Sequence, residues 1–177
     1  MRFDHVSYAA GPDGLQSTAS RLGELLGERF RDGGIHPRFG TRNMVLPLTA
    51  GTYIEVVGVL DHPASDKAPF GQAVRARSAL GGGWLGWVVS VDDIAPVEER
   101  LGREAVKGNR HRPDGTELLW QQIGVNGLLN DPQRVSEWLG ETVEAPLEDI
   151  KVEWVAPNGT PGIVAVQLQT PHGLVRI

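Results

Sequence analysis

The chain has 177 residues, enough for one domain or for two small modules sharing a core, and 40% of them are hydrophobic. A net charge of −5 without any basic stripe argues against a nucleic-acid partner, and the absence of cysteine excludes disulfides, thiolate nucleophiles and zinc–sulfur sites. No apolar run reaches the roughly 20 residues of a membrane helix and the N-terminus has no signal-peptide pattern, so a cytoplasmic protein without a membrane partner is expected.

Residues 3–10, FDHVSYAA, alternate like a strand, with Phe3, His5, Ser7 and Ala9 on one face. In GPDGLQSTASRLGELLG, Asp13 reads as a helix cap, with Gln16 three residues on. Leu15, Ala19, Leu22, Leu25 and Leu26 form the apolar stripe, and Gly27 suits the C-terminal cap. RFRDGGIHPRFG is broken by Gly33, Gly34 and Pro37 and allows at most a short strand and a loop. TRNMVLPLT and TYIEVVGVL read as strands joined at Ala50-Gly51, so the order over residues 1–60 is strand, helix, then two or three strands, compatible with a first βαβββ unit.

Residues 61–83, with Pro63, Pro69 and Gly81 to Gly83, read as a connector carrying a short helix around Phe70 to Arg77. WLGWVVSV is a strand, and Asp92-Asp93 caps a helix whose apolar stripe is Ile94, Val97 and Leu101. A hairpin then turns at Pro113-Asp114-Gly115. Residues 84–130 therefore repeat the first unit in incomplete form. Residues 131–177 are expected to pack on the same domain as a helix from Asp131-Pro132 to Gly140, with Trp138 inward, and a strand pair, IKVEWVA with GIVAVQLQT. The expected class is α+β, with a partial third unit at the C-terminus.

Two ionisable residues interrupt apolar strand faces in the first unit. His5 is one; Glu55, on the face of Tyr53, Val57 and Val59, is the other. A carboxylate on a buried face needs a cation, a metal or a strong donor. His5 and Arg42 are both candidates to supply it, as a site or as a structural ion pair. His36 and His62, each before a proline, read as solvated loop residues, His111 as an outer-face residue and His172 as a turn residue. No phosphate loop and no nucleophile elbow is present.

DHVSYAA, HPRFGTRNMVLPL, YIEVVGV, VSVDDI and RPDGTELLWQ, in that order over residues 3–124, resemble the glyoxalase-like domain proteins of the vicinal oxygen chelate superfamily. The resemblance implies paired βαβββ modules forming a cupped, barrel-like mixed sheet around a small-molecule cavity. It also implies a divalent metal (Zn, Ni, Mn or Fe) in metal-dependent members, held here by His5 and Glu55. The second module departs from the pattern, with Leu85 or Gly86 where a ligand is expected and no closing strand after Gln133. Glu153 is the nearest substitute carboxylate. The expected ligand-binding residues are His5, Arg42, Asn43, Trp84 and Trp120, with Glu55 as the catalytic group. The resemblance also allows a homodimer that completes its sheets across the partner.

Two functions follow as expectations. One is a binder of a small organic molecule in the sheet concavity. The other is a metal-dependent lyase, isomerase or dioxygenase acting on vicinal oxygens. The scaffold alone does not choose between them.

Overall fold

The structure is a computed structural model, described over residues 1–124, 137, 150–153, 155 and 162–177. Its first unit runs β1 (Arg2–Ala9), α1 (Leu15–Leu26), β2 (Arg31–His36), β3 (Thr41–Pro47) and β4 (Tyr53–Val59). A connector with α2 (Pro63–Lys67) and α3 (Pro69–Ala79) leads to β5 (Gly83–Ser90), α4 (Ala95–Leu101), β6 (Val106–His111) and β7 (Glu117–Gln122). Last come β8 (Gln167–Thr170) and β9 (Gly173–Arg176), which pair with each other. No helix among the described residues is long and apolar enough to cross a membrane.

Seven strands form one mixed sheet in the order β5-β1-β4-β3-β2-β6-β7. Only β1 and β4 run parallel, with Ser7 beside Glu55, because the helix and two further strands intervene between them. The sheet curls into a half-barrel, as expected of paired βαβββ modules. Along a flat sheet Arg110 on β6 would lie three strand spacings, about 14 Å, from β4. Its guanidinium nevertheless lies near the hydroxyl of Tyr53 on β4, so the sheet closes toward the face that both share.

The outer face carries the main core. Val6, Leu46, Ile54 and Val56 pack against Ala19, Leu22 and Leu26 of α1, beside Phe30. Ile163, Val166, Leu168, Val175 and Ile177 extend this core, and the Trp84 indole N–H donates to the Ile177 carbonyl at 2.9 Å. The inner face is divided along its strands. Ala9 and Val57 pack on Val74 of α3, with Val59, Phe70 and Leu85 around them. The other end of the same strand faces carries His5, Ser7, Tyr53 and Glu55. Helix α3 therefore plugs one end of the half-barrel and leaves the polar end to itself.

Local signals explain most boundaries and correct a few. Gly27 ends α1 in the left-handed conformation, as its position predicts. Asp13 does not cap that helix. Gly14 does, while Asp13 accepts from Thr18 Oγ1 at 3.3 Å and Arg21 at 2.7 Å. Leu25 is exposed, and Thr18 takes a buried place on the helix instead. Asp93 accepts from the Ala95 N–H at the start of α4, and Asp114 accepts from the Thr116 N–H within the β6–β7 turn. The predicted strand over 150–156 is not one at its described residues. The closing pair is β8 with β9, separated by a turn at Pro171-His172. The predicted helix from Asp131 to Gly140, Trp138 included, lies outside the described residues apart from Glu137.

Candidate functional site

The polar end of the inner face is built around Glu55, 4% exposed at the centre of the sheet. Strand parity puts Ser7 on β1 and Asn43 on β3 beside it. Ser7 Oγ donates to one carboxylate oxygen at 2.5 Å, and Asn43 Nδ2 donates to the other at 2.8 Å. His5 Nε2 lies 3.7 Å from the oxygen that Ser7 bonds. The other ring nitrogen of His5 meets Asp4 Oδ2 at 2.6 Å, and the ring stacks on Tyr53 with centroids 4.4 Å apart. Each nitrogen of His5 therefore faces a carboxylate.

His36 completes the group. It is 5% exposed, bonds Thr41 Oγ1 at 3.0 Å, and meets Trp120 edge-on at 6.1 Å between ring centroids. The expectation that His36 is a solvated loop residue is thus overturned. β2 continues through the two glycines to His36 itself, and its pairing with β3 turns the ring inward.

Two glycines bring the second unit to this face. A Cβ at Gly34, where φ is +114°, would collide with the His111 carbonyl, so glycine allows β6 to lie along β2. A Cβ at Gly108 would strike the Trp120 indole, which lies across that residue. Arg110, two residues on, points to the same side.

The electrostatics follow from burial. Burial, the strongest influence, pushes the Glu55 carboxyl up, but the charges of His5 and His36 and the bonds from Ser7 and Asn43 outweigh it. The carboxyl is held below its ordinary value. His36 itself is pushed down to about 4, chiefly by burial, with Glu55 opposing and Arg110 reinforcing. It is neutral at pH 7. The bond from His5 holds Asp4 below its ordinary value. Burial, then the charges of Glu55 and Asp4, push the Tyr53 phenol well up, and it remains a hydroxyl.

Of the residues singled out in the sequence, His5, Asn43, Glu55 and Trp120 belong to this face. Arg42 points away and pairs with Asp32 at 3.0 Å. Trp84 sits in the outer-face core. Glu153 is exposed and pairs with Lys151 at 2.9 Å. Asp4, Ser7, His36, Tyr53 and Arg110 were not singled out. Strand alternation alone would have found Ser7 and Tyr53, since they share the faces of His5 and Glu55. Clefts of about 540 Å³ beside α1, lined by Gln16, Phe30 and Met44 among others, and about 450 Å³ beside α4 contain none of these residues.

A catalytic divalent ion usually takes three protein ligands and an open position. His5 Nε2 and Glu55 Oε1 are spaced so that one ion could touch both. Among the described residues, however, no three His, Asp or Glu side chains converge. The described donors thus fall one short of such a site.

A family model described as "Glyoxalase-like domain" matches residues 3–173. No curated protein matches the chain significantly. Among solved structures, methylmalonyl-CoA epimerase from Mycobacterium tuberculosis is similar at 16% identity and a TM-score of 0.46, covering 68% of this chain and 78% of that one.

Proposed function

This chain belongs to the glyoxalase-like domain family, and on that premise we propose that it binds a small organic molecule over the inner face of the half-barrel, addressed by Glu55. One observation supports this reading above the others: a buried carboxylate kept ionised by Ser7, Asn43 and His5. A core has no need of such a group, since a hydrophobic residue of similar volume would cost less. An ionised carboxylate at low dielectric can accept a hydrogen bond or a proton from a ligand, and His5, tied to Asp4, stands beside it to donate one. Trp120, Phe39 and His36 supply the flat apolar wall.

A second reading places a divalent ion between His5 and Glu55, favoured by their 3.7 Å separation. It requires a third ligand beyond the described set.

One experiment tests both readings. Neutral carbonyl compounds, benzamide among them, are screened by NMR against the wild type and Glu55→Gln, with and without Ni²⁺, Mn²⁺, Zn²⁺ or Fe²⁺. The expected result is metal-independent binding that shifts His5 and Tyr53 resonances and weakens at least about tenfold in Glu55→Gln, the loss of one charge-assisted hydrogen bond. Binding that leaves these resonances unmoved, or is unaffected by the substitution, contradicts the first reading. Binding that appears only with metal replaces it with the second.

A further inference from the structure

We infer that Arg110 is the anchor for an anionic group, so that the ligand of the inner face is a small organic carboxylate. This deepens the reading just proposed and rests on it.

The argument begins with pairing. Arg21, Arg42 and Arg75 each hold an aspartate within 3.0 Å. Arg110 has no carboxylate at ion-pair distance among the described residues. Its Nε atom is buried and makes no hydrogen bond, while its guanidinium lies close enough to the Tyr53 hydroxyl to act on it. A half-buried guanidinium with no carboxylate at ion-pair distance carries a desolvation cost, and the cost is relieved when an anion arrives. Its planar fork matches a carboxylate in a bidentate arrangement.

Placement adds a second line. Arg110 comes from the second unit and Glu55 from the first, and the sheet's closure brings Arg110 to Tyr53, which stacks on His5. A ligand carboxylate held by Arg110 and the Tyr53 hydroxyl would put the adjoining part of the molecule over the His5–Glu55 pair. Trp120, whose indole lies across Gly108, offers a ring face beside it. The negative charge of Glu55 makes this arrangement selective. Without Arg110 it would repel the same anion, so the arginine decides the charge preference of the whole face.

The test uses benzoate and benzamide, which match in size and differ in charge. Affinities are measured by NMR on the wild-type chain, Arg110→Gln and Arg110→Lys, with thermal unfolding to confirm that each variant is folded. Benzoate is expected to bind the wild type about tenfold more tightly than benzamide, as one charge-assisted pair allows. Arg110→Gln should abolish that preference while leaving benzamide within about twofold, and Arg110→Lys should keep part of it because lysine lacks the fork. If benzamide binds in a Glu55-dependent way but benzoate binds no better, the anion anchor is wrong and the small-molecule site stands. A preference for benzoate that survives in Arg110→Gln also overturns the anchor. If neither compound perturbs the inner face, both readings fall together.

Discussion

Glu55→Ala lowers folding stability by about 3–5 kcal/mol at pH 7, the range for removing one member of a buried charge pair. The deletion strands every group that Glu55 now satisfies. Ser7 Oγ and Asn43 Nδ2 lose their acceptor, and His5 loses the carboxylate facing Nε2, in a place only 4% exposed. Glu55→Gln costs less, about 1–3 kcal/mol, because one amide oxygen still accepts while its NH₂ meets a donor. Replacing Ser7, Asn43 and Glu55 together by apolar residues of similar volume comes close to neutral, since no polar group is then left behind. Urea unfolding of the four proteins gives the comparison. A Glu55→Ala protein as stable as the wild type would mean that these bonds do not form a connected network.

Acid weakens the fold through His36. The ring is held at about 4 when folded, against 6.5 when free. Between those values the unfolded chain takes up a proton that the folded chain refuses, so stability falls as pH drops from 6.5 toward 4. Below 4 this contribution levels off. The gap corresponds to about 3 kcal/mol. Glu55 acts in the same direction at lower pH. Its carboxyl is held below 4.5, so its stabilisation is present above that value and is lost as pH falls through the folded value. His36→Gln removes the first part of the loss and keeps the second. Urea midpoints at pH 7 and pH 4.5 separate them. A wild type equally stable at both values, or a His36→Gln protein with an unchanged slope, would rule out the buried neutral ring.

The inner face was half legible in the sequence, and parity explains which half. His5 and Glu55 stood out because each interrupts an apolar alternation on a long, regular strand. Asn43 and Arg42 are neighbours in TRNMVL, and only their order relative to the pleat sends Asn43 inward and Arg42 out to Asp32. Trp84 was assigned to the wrong face because β1 and β5 pair with two register shifts, and the second sets it opposite Tyr8 in the outer core. His36 was hidden by Gly33, Gly34 and Pro37, which read as a loop although Gly34 serves to admit β6.

Arg110 carried no local signal at all. The triplet Arg110-His111-Arg112 looks like a solvated edge, and His111 does point outward, toward Glu117 at 3.2 Å. Arg110 points inward because the sheet curls, a property of two units meeting along β2 and β6. The resemblance to a known family supplied the paired-module architecture. It did not supply the partners of Glu55, which came from register.

The central claim is that Glu55 remains a carboxylate inside the protein. Carboxyl ¹³C NMR of labelled glutamate, with Glu55 assigned by its loss in Glu55→Gln, tests it directly. The account predicts that the midpoint of the Glu55 titration lies below 4.5, the ordinary midpoint of the side chain. A Glu55 resonance that titrates above 4.5, as burial alone would make it do, would contradict the account.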